Sequence, residues 1–289
     1  ATPYLAEALK KTDLLLAVGP RLGEMTTGGY KLLSPPVPDI DLVHVFPAPE
    51  EPGRVFEPAL SLVADTESFC EAIAAWDPIS PEKHVGSVKA LRDGYEAFNS
   101  PVSVAEDPLA PVFAHLAEVL PDDAIVSNGA GNYAAWLHRF YRYRKPGSQL
   151  APTSGSMGYG LPAAIGAALA HPSKEVFAIA GDGCFLMTGQ ELATAVHYDL
   201  NLTVLVINNR RYGTIRAHQE REFPDRVSGT DLTNPDFCAL ARSFGATAWR
   251  LTDLGAFDQT LSEARGERGV KLIEIVQPDR LIAPGKWLT

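Results

Sequence analysis

The sequence predicts an α/β protein: a parallel sheet flanked by helices, preceded by a partial Rossmann-like layer. Three observations support this. Short, unbroken apolar runs such as Val176-Phe177-Ala178-Ile179-Ala180 and Leu202-Thr203-Val204-Leu205-Val206-Ile207 read as strands buried on both faces. Segments of helical period lie between them, and that alternation implies a parallel sheet with helices on both sides. At 289 residues the chain is long enough for two domains of ordinary size.

Taken in order, Leu14-Leu15-Leu16-Ala17-Val18 is a buried-strand run that ends at Gly19, and further strands are expected at 41–46 and 61–64. Residues 66–76 read as a helix with Asp65 or Thr66 as its cap and Glu67 in the first turn. Two or three strands are few for a self-sufficient layer, so residues 1–80 are expected to be part of a domain. Prolines punctuate residues 77–108 around one helical stretch near 81–98, and 81–106 is expected to link two domains. From 107 to 289 the β-α alternation is regular. Strands are expected at 124–127, 176–180, 202–207, 248–251 and 270–276, and helices at 133–141, 160–170, 188–198, 235–244 and 257–264. Pro162 sits in the first turn of its helix, where a missing N–H costs little. Residues 210–234 show no period and are long for a connection, which predicts an active-site cover.

Composition narrows the function. A net charge of -10 argues against nucleic acid or an anionic membrane as partner, since both need a cationic face. No apolar stretch reaches membrane-span length and no signal-peptide pattern is seen. Cys70, Cys184 and Cys238 show no metal-ligand spacing, and their odd number gives no disulfide framework, so a cytoplasmic setting is expected.

The chemistry concentrates in Gly181-Asp182-Gly183 and Asn208-Asn209, whose second residue follows Asp182 by 27 positions. Each motif ends an apolar run, with 188–198 between them. Adjacent strands would bring Asp182 and Asn209 to one edge of a parallel sheet, where open α/β folds bind ligands. A carboxylate and an amide oxygen suit a hard divalent cation such as Mg2+, which shares its shell with phosphates. Glycines beside Asp182 let the backbone approach a bulky anion, and the amides that follow can donate to it. Read alone, Asp182 is equally a strand-end acid capping a turn, and Asn208 a turn-supporting side chain.

The spaced pair resembles the signature of thiamine diphosphate enzymes. Gly155-Ser156-Met157-Gly158, Gly181-Asp182-Gly183-Cys184-Phe185 and Gln190-Glu191-Leu192-Ala193-Thr194-Ala195 are similar to the diphosphate-binding domain of the acetolactate synthase and 2-oxoacid decarboxylase superfamily. The likeness covers about 107–289, and a weaker one to that family's central domain covers 5–76. The resemblance implies thiamine diphosphate and Mg2+ as cofactors, with Asp182, Asn209 and the main-chain carbonyl of Arg211 as metal ligands. It implies that Gly181, Gly183, Cys184 and Phe185 bring backbone to the diphosphate, with Ser156, Tyr212 and Gly213 nearby. Met157 would support the bent cofactor from beneath and the Gly155 carbonyl would accept from the aminopyrimidine. Cys184 is otherwise a small buried filler and Met157 a core methionine. Asn128-Gly129-Ala130-Gly131-Asn132 either borders the cofactor or is a glycine turn satisfied by asparagine.

The implied reaction is C–C bond cleavage or formation on a 2-oxoacid, with acetolactate synthase-like chemistry as transferase or lyase. Gly19-Pro20-Arg21 resembles that family's central domain, whereas His218 stands where the synthases carry tryptophan. Gly213-Thr214-Ile215-Arg216 is nearer to benzoylformate decarboxylases, which keeps a decarboxylase as the alternative, beside a non-catalytic module. A magnesium-dependent nucleotide hydrolase is disfavoured because no G-x-x-x-x-G-K-[ST] stretch occurs. FAD, held by many acetolactate synthases, is left open by a match to only half of the central domain. The activating glutamate of the family comes from a pyrimidine-binding domain, on a neighbouring subunit. No segment here resembles that domain and Glu191 is no substitute, so a homo-oligomeric, longer protein is expected and this chain alone is expected to be inactive.

Overall fold

The structure is a computed structural model that describes residues 2–288 apart from 78, 79, 81 and 83. The chain divides into two compact units, Ala1–Phe98 and Asn99–Thr289.

The first unit is a three-stranded parallel sheet in the order β1 (Leu14–Val18), β2 (Asp41–Phe46), β3 (Leu60–Val63). It carries α1 (Pro3–Leu9), α2 (Thr66–Ala74) and α3 (Val85–Asn99). Asp65 caps α2 by accepting from the Ser68 amide at 2.9 Å. The core is small, built on Ala17, Leu22, Leu33, Leu42 and Phe56. Leu14, Leu16, Leu60 and Val63 remain exposed along the sheet. The expected 81–98 stretch corresponds to α3; its first residues, 81 and 83, lie outside the described residues. Asp77–Pro108 had read as a connection, yet this helix belongs to the first compact unit.

The second unit is a six-stranded sheet, all neighbours parallel. It contains β4 (Ile125–Asn128), β5 (Gln149–Leu150), β6 (Val176–Gly181), β7 (Leu202–Asn208), β8 (Thr247–Leu251) and β9 (Val270–Val276), ordered β5-β4-β6-β7-β9-β8. Its helices are α4 (Ala110–Val119), α5 (Ala134–Phe140), α6 (Gly160–Ala170), α7 (Asp182–Phe185), α8 (Leu192–His197), α9 (Gly213–Glu222), α10 (Phe237–Ser243) and α11 (Phe257–Gly266). A hairpin, β10 (Leu281–Ala283) with β11 (Lys286–Trp287), follows the sheet.

The unbroken apolar runs have a direct cause. Successive residues of a strand face opposite sides, and here both sides are covered. On β6, Phe177 and Ile179 pack into the core that includes α4, α5 and α11. Val176, Ala178 and Ala180 face the core that includes α6, α8 and α10. β7 repeats the division, with Leu205 and Ile207 on one side and Leu202, Val204 and Val206 on the other. The small residues of α6 allow a close approach to the sheet. A Cβ on Gly160 would stand 3.0 Å from the Gly129 nitrogen and 3.1 Å from the Asn128 carbonyl carbon.

Two stretches differ from the sequence reading. Residues 188–198 form a 3-10 turn (Gly189–Glu191) before α8 rather than one helix. Gly189 is pressed against Phe185, whose ring would lie 2.9 Å from an added Cβ. Residues 210–234, which show no period, contain the ten-residue α9. No residue of α9 is buried, so it has no apolar stripe by which a helix declares itself.

Asp107 ties this unit together. Its buried carboxylate accepts from the amides of Leu109 (2.9 Å) and Ala110 (3.2 Å) at the start of α4. It also accepts from Trp136 Nε1 on α5, 2.9 Å from each oxygen, and from the Gly285 amide at 2.8 Å in the β10–β11 turn. Asp107→Ala would leave several buried donors without an acceptor. Chemical denaturation is expected to show a loss of about 3 kcal/mol, since unpaired buried polar groups cost about 1–3 kcal/mol each and neighbouring losses are not additive.

Candidate active site

The ends of β4, β6 and β7 build one cavity of about 250 Å3. β5 and β6 lie on opposite sides of β4, so the chain reverses its progress across the sheet there. Open α/β sheets bind ligands at such a switch point, beyond the carboxyl ends of the strands.

The register between β6 and β7 sets the floor. Gly181 stands opposite Ile207 in a parallel pairing, so β6 and β7, the latter one residue longer, end at the same edge of the sheet. Asp182 and Asn209 both line the cavity. Asp182 is 2 % exposed; its Oδ1 accepts from the Gly183 amide at 2.9 Å and its Oδ2 from Asn234 Nδ2 at 2.8 Å. Burial pushes its carboxyl above the usual carboxylate range, opposed by the bonds from Asn234 and from backbone amides. The side chain of Asn209 accepts from the Arg211 amide at 3.2 Å, and Asn208, itself buried, accepts from the Arg210 amide at 3.2 Å. These two bonds bend the chain sharply after β7, and Arg210 takes a left-handed conformation at φ 56°. Arg211, Tyr212 and Gly213 then run along the cavity.

Glycine is required where backbone meets aromatic rings. A Cβ on Gly181 would lie 2.7 Å from the Tyr133 ring, and one on Gly183 would lie 2.6 Å from the Tyr212 ring. Cys184 also lines the cavity. Its sulfur receives the Tyr133 hydroxyl at 3.1 Å and the Gly158 amide at 3.2 Å, so this thiol packs and accepts rather than standing free. Gly155 and Met157 lie on the cavity wall, where Met157 packs partly against the core beside α5. Gly155 and Gly158 hold positive φ values of 69° and 80° around it.

Ten of the residues singled out in the sequence therefore share this cavity: Gly155, Met157, Gly181, Asp182, Gly183, Cys184, Asn209, Arg211, Tyr212 and Gly213. Ser156 and Phe185 do not line it. Ser156 is exposed, with its hydroxyl 2.7 Å from that of Ser154, although its carbonyl accepts from the Ala130 amide. Phe185 is buried edge-on against Phe237. In the 128–132 segment, Ala130, Gly131 and Asn132 line the cavity, whereas Asn128 is buried beside His138. Arg216 and His218 lie along α9 away from the wall, Arg216 paired with Glu220 and His218 with Arg221.

The 210–232 segment closes on itself. The Tyr212 amide donates to the Thr230 carbonyl and the Leu232 amide to that of Arg210, both at 2.8 Å. Thr214 Oγ1 donates to Asn132 Oδ1 at 2.8 Å, which ties the start of α9 to the loop after β4. Tyr133, Gln277 and Asn234 were missed in the sequence. Tyr133 reads as an ordinary helix start, Gln277 follows a strand without a motif, and Asn234-Pro235 reads only as a turn.

The oxygen set fits a hard cation beside an anion. Asp182 and Asn209, one carboxylate and one amide side chain, both line one cavity, which is the hard-oxygen donor set such a cation takes. A second cluster, Asp236, Cys238 and Glu274, already holds a cation, because Arg250 bonds Asp236 at 2.8 Å and Glu274 at 2.7 Å.

Residues 129–275 match the family described as "Thiamine pyrophosphate enzyme, C-terminal TPP binding domain", and residues 1–73 match its "central domain". The chain belongs to the thiamine pyrophosphate enzyme family. It is similar to the acetolactate synthase large subunit of Corynebacterium glutamicum, 32% identical over 296 residues, which covers 96% of this chain and 46% of that protein. The acetolactate synthase of Mycobacterium bovis is 33% identical over 259 residues (84% of this chain, 41% of that protein). The acetolactate synthase isozyme 2 large subunit of Escherichia coli is 30% identical over 271 residues (93% and 48%). The chain thus spans about half the length of the curated relatives it matches. Among the described residues, no helix is long and apolar enough to cross a membrane.

Gly183→Ala drives a methyl group into Tyr212 and Leu232, which lie at opposite ends of the closed segment. Overpacking of this kind costs about 1–3 kcal/mol. Limited proteolysis is expected to cut residues 213–229 of this variant faster than in the parent chain.

Proposed function

We propose that this chain carries the diphosphate- and Mg2+-holding part of an acetolactate synthase-like enzyme that makes or breaks a C–C bond of a 2-oxoacid. The carrying observation is that the ends of two adjacent parallel strands deliver Asp182 and Asn209 to one cavity wall. In this reading Asp182, Asn209 and the Arg211 carbonyl hold Mg2+, which neutralises the diphosphate that a chain of net charge -10 could not attract unaided. Backbone at Gly181, Gly183 and Cys184 would border the diphosphate, the two glycines adding no side chain of their own, and the amide of Phe185 follows on the same turn. Met157 and Gly155, both on the cavity wall, would support the cofactor, Met157 through its side chain and Gly155 through its carbonyl to the aminopyrimidine. Tyr212 and Gly213 would contribute a further part of the wall, and Ser156 only its carbonyl, which holds the Ala130 amide.

When bound, thiamine diphosphate supplies the electron sink for the 2-oxoacid chemistry. The protein's part is to orient that cofactor and exclude water around it. Among the described residues, Asp182 is the only carboxylate lining the cavity, and in this reading it is committed to the cation. The acid that activates the pyrimidine then comes from a pyrimidine-binding domain of a longer or neighbouring chain, in a cytoplasmic homo-oligomer. A benzoylformate-type decarboxylase uses the same clamp. Ile215, within the run that resembles those enzymes, lines the cavity, so this wall would take part in choosing the substrate.

A thermal-shift titration tests the reading. Thiamine diphosphate with Mg2+ is expected to raise the melting temperature and ATP with Mg2+ to leave it unchanged; the reverse pattern would overturn it. With pyruvate and both cofactors, this chain alone is expected to show binding without steady turnover.

The pH dependence follows from Asp182. Burial lets the folded state keep this proton to a higher pH than the unfolded chain, so its ionisation on raising the pH costs cation-free stability. Mg2+ requires the ionised form. The Mg2+-dependent shift is therefore expected to shrink on acidification before the pH reaches the exposed-aspartate value of about 4. Melts with and without Mg2+ across the mildly acidic range check this.

A further inference from the structure

Asp182 is held by a chain of buried polar groups that leads away from the cavity. Asn234 Nδ2 donates to Asp182 Oδ2 at 2.8 Å and to Asn208 Oδ1 at 2.9 Å. Asn208 Nδ2 in turn donates to Glu274 Oε1 at 2.7 Å. Glu274, 2 % exposed on β9, receives Arg250 Nε from β8 on its other oxygen at 2.7 Å. Arg250 also bonds Asp236 at 2.8 Å, the cap of α10 and only two residues beyond Asn234. The network joins the ends of β6 and β7 to β9, β8 and α10.

The direction of every bond is dictated by its two ends. Glu274 and Asp182 are carboxylates and can only accept when ionised. Asn208 must therefore turn its amide nitrogen to Glu274 and its oxygen to Asn234. Asn234 faces two acceptors, so only its NH2 group can lie between them. A flipped amide at either position would set oxygen against oxygen. The Oδ2 of Asp182 is thereby held from Glu274, two amides away, while the Gly183 amide holds Oδ1 at 2.9 Å.

We propose that Asn234 is a positioning residue for the cation site, locking the Asp182 carboxylate in one orientation through a relay anchored at Glu274. The proposal rests on the Mg2+-diphosphate reading above and extends it to a residue that the spaced motifs do not contain. Partners that orient a metal ligand commonly matter 10–100-fold in affinity. The effect should depend on the ion. Mg2+ demands near-ideal octahedral geometry, whereas Ca2+ tolerates varied angles and ligand numbers. A carboxylate held on Oδ1 alone therefore penalises Mg2+ more than Ca2+.

The test is to titrate Mg2+ and Ca2+ separately into the full chain with thiamine diphosphate, following the melting temperature and bound ion by calorimetry. Asn234→Ala is expected to weaken Mg2+ about 10-fold or more and Ca2+ distinctly less. The melting temperature without ligands is expected to fall, because the buried Asp182 and Asn208 each lose a donor, so the ratio of the two ion affinities is the deciding readout. Asn234→Ser, too short to reach both oxygens, gives the same loss of selectivity and serves if the alanine variant does not fold. Unchanged affinities for both ions in a folded variant would overturn the proposal alone. Equal losses for both ions, whatever the ligand-free melting temperature, would reduce Asn234 to packing and also overturn it. A parent chain that responds to neither ion would overturn the functional reading, and this proposal with it.

Discussion

The parallel register between β6 and β7 is the constraint on which the rest depends. Because Gly181 pairs with Ile207, both strands release their chains at one edge, and the polar residues that follow have no choice but to meet. That register is itself enforced by burial. Side chains alternate between two separate cores, so a slip of one residue would turn every apolar residue of a strand toward the wrong layer. The geometry of a charged site is thus imposed by apolar packing well removed from it.

Around this edge the protein uses absence of side chains as a structural element. Gly181 and Gly183 each face an aromatic ring at a distance no Cβ could occupy, so the rings of Tyr133 and Tyr212 pack directly on the backbone on either side of the buried Asp182. The aspartate's burial is costly for a charged group. Two hydrogen bonds to its carboxylate offset part of that cost, and a bound cation would offset more. A site built this way favours its ligand because the unliganded state is electrostatically incomplete.

Much of this was legible in the sequence because it rests on local rules. Unbroken apolar runs located β6 and β7, and the glycines and asparagines ending them located the cavity, since those residue types are demanded by backbone shape at that point. Asn234 and Glu274 were not legible. Glu274 sits inside an apolar strand run and Asn234 before a proline, so neither has a periodic or spaced signature; their roles exist only after β9, β7 and α10 are assembled. α9 was missed for the opposite reason. It is held by polar contacts such as Arg216–Glu220 and Gln219–Ser228 rather than by an apolar face. Ser156 and Phe185 show the limit of reading a motif as a block, since one faces outward and the other fills the core.

Asp107 and Gly285 are 178 residues apart, yet one carboxylate joins them while also holding Trp136 and the start of α4. During synthesis α4, β4 and α5 emerge early, but the acid that organises them lacks one of its donors until the late hairpin arrives. Contacts between such distant residues are slow to form because a long loop must first close. The second unit therefore carries a built-in order of assembly, in which the sheet can gather progressively but its final tightening waits for the turn at Gly285.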